Sequence, residues 1–220
     1  MKNIFLVLFS LSFGLTFAQR SQNPGDFNSI EVYDQLSAEL IPSDKNYVEV
    51  TGSNAKSVEI VNKNGKLKIR MKLDQFLQGD KTKVKIYYRS LNSVAAKEGA
   101  IITSKSKLET SGLSLNANKG ATITLDVSAN SIDARLDSGG IIEISGNANS
   151  QNVVANSGGN YEASKLITKT TNVTVNAGGN AEVYATKYVS AKTRAGGNID
   201  VFGGAEVDQK TIAGGTVNIR

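Results

Sequence analysis

Apolar and polar residues alternate along most of the chain, and this alternation predicts β-strands throughout. It is most regular after residue 98, where the pattern recurs in units of 18 to 21 residues. Each unit holds two short stretches with an apolar or small side chain at every second position, as in a strand with one face turned inward. No stretch after residue 98 has the 3.6-residue period of a helix. We therefore predict an all-β repeat structure.

Glycine pairs separate these units. Sixteen of the 21 glycines lie after residue 98, and the pairs recur at the same interval as the apolar pattern. Glycine adopts positive φ and allows backbones to approach closely, so each pair is predicted to form a corner between two strands. The small residue before each pair is expected to lie inside that corner. The corner glycines are Gly139, Gly140, Gly158, Gly159, Gly178, Gly179, Gly196, Gly197, Gly214 and Gly215.

Units of equal length, made of strand, corner and strand, stack without long crossovers only if they wind as a coil. Each strand then pairs in parallel with its counterpart one turn away. The fold class predicted is a single-stranded parallel β-helix, or β-solenoid, with turns of 18–21 residues. We expect the regular turns in residues 97–220.

The preceding part of the chain alternates without the glycine period. Residues 27–96 are predicted to form irregular first turns and a β cap, after a short extension at residues 19–26. Asn64-Gly65 between two alternating stretches predicts a β-hairpin. At the other end, the last predicted strand would leave an open edge, which could permit self-association.

The first 18 residues have the pattern of a secretory signal peptide. Lys2 is followed by an apolar run from Ile4 to Ala18 and small residues at the predicted cleavage site. A membrane anchor is the alternative, but the run is shorter than the roughly 20 apolar residues that span a bilayer. We predict cleavage after Ala18, no membrane-spanning segment, and export to the periplasm, the outer surface or the medium.

Composition excludes several kinds of chemistry. The chain has no cysteine and no histidine, which excludes disulfides, thiol nucleophiles and imidazole-based catalysis. Its 25 basic and 20 acidic residues give a net charge of +5, without the clustered basic face typical of nucleic-acid binding. No metal or cofactor motif is present, so we predict no cofactor. Because no basic face is present, we also predict no nucleic-acid partner.

Short glycine-rich motifs give the chain a family resemblance. Phe27-Asn28-Ser29-Ile30, Asn156-Ser157-Gly158-Gly159-Asn160 and Asn176-Ala177-Gly178-Gly179-Asn180 resemble the head GIN domain, as does Ala195-Gly196-Gly197-Asn198-Ile199. That family comprises putative auto-transporter adhesin heads of Gram-negative bacteria. The resemblance implies a right-handed parallel β-helix in an exported, envelope-associated protein. It implies no catalytic residues.

One outward column of the predicted solenoid is acidic. Glu143, Glu162, Glu182 and Asp200 all stand four residues after the first glycine of their units, so they should stack about 4.8 Å apart. Such a column could bind a cation or a basic partner, or it could be a solvated face offset by nearby lysines. The nine-residue glycine-aspartate repeat of calcium-binding solenoids is absent, so no metal site is predicted.

Beside this column, amides and aromatic rings also fall in register. Asn180 and Asn198 are predicted to form a hydrogen-bonded ladder or to be corner residues. Tyr184 and Phe202 are predicted to be adjacent and outward, where they could bind a sugar ring or a protein. The alternative is that a bulge turns these rings inward or that a loop covers them. The candidate binding face is therefore Glu143, Glu162, Asn180, Glu182, Tyr184, Asn198, Asp200 and Phe202.

These features favour a non-catalytic binding or adhesion-like module of the cell envelope, with a surface glycan or protein as partner. A self-assembling structural protein of the envelope is a second hypothesis. A carbohydrate-active enzyme is a third, since parallel β-helices host such enzymes and the acidic column supplies paired carboxylates. The column lacks the apolar pocket that raises the pKa of a catalytic acid.

Overall fold

The structure, a computed structural model, describes residues 19–220, so the predicted signal peptide lies outside the described residues. Strands make up 69% of it, and two short 3-10 turns, Ala55–Ser57 and Leu73–Gln75, interrupt them. Within residues 19–220, no helix has the length and apolar character needed to cross a membrane. The strands are β1 Gln19–Gln22, β2 Ser29–Val32, β3 Ser37–Pro42, β4 Tyr47–Gly52, β5 Val58–Lys63, β6 Lys66–Met71, β7 Thr82–Tyr88, β8 Ser93–Lys97, β9 Ile101–Ser104, β10 Leu108–Asn118, β11 Thr122–Asp137, β12 Ile141–Asn156, β13 Asn160–Asn176, β14 Asn180–Arg194, β15 Asn198–Phe202, β16 Glu206–Ile212 and β17 Thr216–Ile219.

The predicted β-solenoid is confirmed, with about seven turns. Successive strands from β10 to β14 pair in parallel, each with its counterpart one turn along. The two strands predicted for each unit are continuous in β11 to β14, which run for 15 to 17 residues and bend midway. From β11 to β14 the strand is therefore interrupted only at the glycine corners, whereas a second break separates β9 from β10 and β15 from β16.

The core is a set of stacked side chains inside the coil. Ile123, Ile142 and Tyr161 occupy equivalent positions on three successive turns, and all three are fully buried. The predicted inward columns hold as far as Val201. Ile219 occupies the position equivalent to Val201 one turn further on, where the alternation predicts an inward side chain, but it is 62% exposed. No further turn covers β17 within the described chain.

The two glycines of the Gly139-Gly140 corner have different roles. Gly139 has a φ of +71° and open space where a Cβ would be, so its backbone conformation is what favours glycine. Gly140 has no positive φ, but a Cβ there would lie 2.1 Å from the carbonyl oxygen of Ala117 on the preceding turn. The prediction for the small preceding residue is wrong: Ser138 is exposed, and its φ of +51° makes it the first residue of the turn.

The N-terminal region closes one end of the solenoid with strands out of chain order. β2 lies between β6 and β8, and β3 lies between β7 and β9. β4 pairs antiparallel with β7, and β5 pairs antiparallel with β6. β1 pairs antiparallel with β4 and extends the sheet beyond it. The predicted hairpin at Asn64-Gly65 is confirmed by the β5–β6 pairing and by positive φ at both residues.

Candidate binding surfaces

The predicted acidic column exists in the predicted register. Glu143 pairs with Glu162, Glu162 with Glu182, and Glu182 with Asp200, so the four carboxylates lie on successive turns of one face. We call these four residues the acidic ladder. Glu143 and Glu162 are exposed, and Glu182 and Asp200 are half-buried.

Polar side chains on the same face offset part of this charge. Asp200 accepts hydrogen bonds from Arg220 Nε at 2.9 Å and Asn218 Nδ2 at 3.1 Å. Glu143 accepts one from Thr124 Oγ1 at 3.2 Å. The three glutamates of the ladder take part in no salt bridge within residues 19–220. The same residues contain no group of three or more acidic side chains that could hold a metal ion. The ladder is thus a water-facing acidic surface whose Asp200 end is neutralised.

A shallow groove of about 420 Å³ lies along the glutamate end of the ladder. The polar part of its lining consists of hydroxyls and carboxylates from β9 and from β11 to β14, with one lysine among them. A groove of this chemistry favours partners that donate hydrogen bonds or carry positive charge. The polar lining residues are Ser104, Thr124, Asp126, Glu143, Ser145, Glu162, Ser164, Lys165 and Glu182.

The asparagines beside the ladder form hydrogen bonds from turn to turn. Asn198 Nδ2 donates to Asn180 Oδ1 at 3.0 Å, and Thr216 Oγ1 donates to Asn198 Oδ1 at 2.6 Å. The interpretation as a hydrogen-bonded ladder is therefore confirmed for these residues. Their amides remain exposed on the edge facing solvent.

The two aromatic residues lie next to each other on the outer side of the sheet. Tyr184 pairs with Phe202 in the β14–β15 register, and both are half-buried and outside the core. The ring of Tyr184 lies against Gly203, where an added Cβ would be 2.6 Å from Tyr184 Cε1. The rings are not turned inward, and they continue the acidic ladder with an apolar surface beyond Glu182 and Asp200.

Sequence reasoning missed a second groove at the bend of the long strands. It has a volume of about 450 Å³ and is lined by amide, hydroxyl and small side chains, with one lysine and one exposed isoleucine. The only sequence signal was the unit between Gly158 and Gly178, which at 20 residues is longer than its neighbours of 19 and 18. We call this surface the amide groove, formed by Thr110, Ser128, Ala129, Asn130, Asn147, Ala148, Asn149, Ile167, Thr168, Lys169 and Thr186.

The fold and its surface grooves are now defined, and comparison with known proteins shows the family to which the chain belongs. The model of the family described as putative auto-transporter adhesin, head GIN domain, matches residues 26–205. This confirms the resemblance given by the glycine motifs.

Solved structures show the same fold. A putative adhesin from Bacteroides fragilis aligns with a TM-score of 0.84 at 18% identity, over 94% of this chain and 98% of that one. A putative adhesin from Parabacteroides distasonis aligns with a TM-score of 0.75 at 25% identity, over 93% and 97% of the two chains. A protein from the same species described as a putative lipid binding protein gives 0.70 at 19% identity, over 93% and 96%. No curated protein matches the chain.

Proposed function

We propose that this protein is a non-catalytic, adhesion-like binding module exported to the bacterial envelope. The family and its structural neighbours, described as putative adhesins, support this class of function. The observation that carries the proposal is the in-register face on which Glu182 and Asp200 adjoin Tyr184 and Phe202. Aromatic side chains are enriched at the hot spots of binding surfaces and contribute large apolar contact areas there. We infer that this pair contacts a sugar ring or a protein.

The exposure of the carboxylates favours binding over hydrolysis. A glycosidase needs one carboxyl held protonated by an apolar pocket. Glu143 and Glu162 instead face solvent along a shallow groove, and neither is enclosed by apolar side chains. We infer that these groups select and orient a partner rather than transfer protons to it. An enzyme would instead release product from polysaccharides and lose that activity on Glu162→Gln or Glu182→Gln.

Removal of both rings is expected to weaken binding to cells. Fluorescently labelled protein would be titrated onto intact Gram-negative cells, and Tyr184→Ala/Phe202→Ala should bind at least about tenfold more weakly than wild type. Pretreatment of the cells distinguishes the partner: loss of binding after periodate indicates a glycan, and loss after protease indicates a protein.

The chain provides a matched control for this variant. Tyr47 and Tyr87 form another cross-strand aromatic pair, with ring centroids 6.0 Å apart, in the N-terminal cap. Tyr47→Ala/Tyr87→Ala should bind cells as wild type does, and thermal unfolding of both variants shows whether they are folded. Equal binding by wild type and the Tyr184→Ala/Phe202→Ala variant, or binding by neither, would refute the proposed face.

Self-assembly is a second candidate function, favoured by the exposed strands β16 and β17. Within the described chain each of these strands pairs on one side only, and Ile212 and Ile219 are exposed on them. Unpaired strand edges with apolar side chains can pair with another copy. If they do, the sedimentation coefficient should rise with protein concentration, and Ile219→Lys should abolish the rise. A wild-type protein that stays monomeric at high concentration excludes this function.

A further inference from the structure

The amide groove is built from side chains that repeat on neighbouring turns. Asn149 Nδ2 donates to Asn130 Oδ1 at 3.3 Å, and Lys169 Nζ donates to Asn149 Oδ1 at 2.8 Å. Alongside them, Asn147 Nδ2 donates to Ser128 Oγ at 3.3 Å. These bonds hold the amides in place, and each amide retains further donor and acceptor capacity towards solvent.

An isoleucine projects into this polar surface. Ile167 is 53% exposed, although the residues on either side of it, Leu166 and Thr168, are buried. The β13–β14 register shifts on both sides of this segment, between Ala163 and Ile167 and again between Thr168 and Thr170. Irregularities of this kind redirect individual side chains and are common next to functional sites. Ile167 thus lies between two register shifts and lines the groove with an apolar side chain.

A buried hydrogen-bond network fixes that orientation from inside the coil. Tyr161 donates to Gln151 Oε1 at 2.8 Å, and Gln151 Nε2 donates to Thr171 Oγ1 at 3.0 Å. Thr171 and Thr168 hydroxyls lie 3.0 Å apart, and Thr168 Oγ1 donates to the carbonyl of Tyr184 at 2.6 Å. Since a hydroxyl has one proton, Thr171 must be the donor to Thr168.

All four side chains of this network are buried, and each hydroxyl or amide oxygen in it has a partner. Burial also raises the pKa of the Tyr161 phenol above its usual range, which keeps it protonated as the first donor. Thr168 therefore points inward to complete the network. Its neighbour Ile167 must point outward, because successive side chains of a strand alternate.

We propose that the amide groove is a second binding site, distinct from the four carboxylates of the acidic ladder, and that it binds an oligosaccharide. It adjoins the aromatic face, since Ile167 pairs with Tyr184 on the next turn. The exposed amides and hydroxyls match the hydroxyls of a sugar chain. Ile167 offers an apolar contact for the C–H face of a sugar ring, and Tyr188, 38% exposed and paired with Thr170, adds an aromatic side chain nearby.

The charge of the groove indicates which oligosaccharides bind best. Its lining contains no carboxylate, and its one cation, Lys169, forms no salt bridge within residues 19–220. An acidic sugar can pair with this ammonium group, whereas the acidic ladder would repel it. The site should therefore prefer uronic-acid-containing chains to neutral ones.

The test is titration calorimetry with four defined hexasaccharide probes: oligogalacturonate, hyaluronan, chitohexaose and cellohexaose. Wild type should bind at least one acidic probe more tightly than both neutral ones. Ile167→Ser should weaken that binding roughly tenfold, which corresponds to loss of one buried apolar contact. Asn149→Ala should weaken it about fivefold. Lys169→Gln should remove the preference for acidic probes.

Two matched controls separate this site from general effects on the surface. Val61 is 51% exposed, almost as much as Ile167, and lies in the cap, so Val61→Ser should leave binding unchanged. Asn152 donates to Asp133 on the preceding turn as Asn149 does to Asn130, but it lies outside the groove, so Asn152→Ala should also bind normally.

The outcomes separate this proposal from the proposed function. Ile167 pairs with Tyr184 and lies two turns from Phe202, so Phe202→Ala is the variant that changes the aromatic face without changing a neighbour of Ile167. Probe binding that survives Ile167→Ser and Asn149→Ala but is lost in Phe202→Ala would overturn the groove and support the aromatic face beside the acidic ladder as the glycan site. Failure of all four probes to bind wild type would also overturn the groove, whereas cell binding through the aromatic face could persist.

Discussion

Substitution of Gly140 by alanine is expected to destabilise the protein by about 3 kcal/mol, and the same change at Gly139 by only about 1 kcal/mol. At Gly140 the new Cβ would lie 2.1 Å from the Ala117 carbonyl oxygen, so two turns of the coil must separate. At Gly139 there is space for a Cβ, and only the φ of +71° is unfavourable for alanine. Urea unfolding of the two variants and wild type measures both values.

The comparison between neighbouring glycines is its own control, because both changes add the same methyl group at the same corner. Equal destabilisation of Gly139→Ala and Gly140→Ala would show that backbone conformation alone selects glycine there. In that case the close approach of successive corners would not determine the stacking of the turns.

The second large effect is expected from the buried network beneath the amide groove. Gln151→Leu keeps the side-chain volume but leaves the Tyr161 hydroxyl without its acceptor and Thr171 without a donor. Each unsatisfied buried group costs about 1–3 kcal/mol, so a loss of about 3 kcal/mol in the free energy of unfolding is expected. Urea or thermal unfolding provides the measurement.

Simultaneous removal of the network's polar groups should reverse much of this loss. The triple variant Tyr161→Phe/Gln151→Leu/Thr171→Val removes the two hydroxyls and the amide of these three residues. None of these polar groups is then left buried without a partner. Replacing all partners by apolar groups of similar shape is close to neutral in free energy. If the triple variant were less stable than Gln151→Leu alone, the four residues would not act as one network.

The register of the acidic ladder could be predicted because it depends on counting from a repeated feature. The glycine pairs fix where each turn starts, so residues four positions later, such as Glu162 and Glu182, must stack if the coil forms. The same count predicted that Tyr184 lies beside Phe202. Local spacing within a repeat is sufficient for these pairings.

The amide groove could not be predicted by counting. The extra residue in the unit of β13 shifts the alternation, but the sequence alone does not show where along the strand the shift occurs. The position is set by Gln151, which lies on the preceding turn and holds Thr168 inward through Thr171. The order of β2 between β6 and β8 was equally inaccessible, because it depends on pairing between distant segments.

The contact surface can be tested most directly by photocrosslinking on cells. The photoreactive residue p-benzoylphenylalanine would be placed at position 184, at position 188 beside the amide groove, and at position 87 in the cap. Irradiation of cell-bound protein should give a crosslinked product from position 184 and none from position 87. A product from position 188 would report on the amide groove independently. No product from position 184, or equal yields from 184 and 87, would contradict the proposal that this face of the solenoid binds the partner.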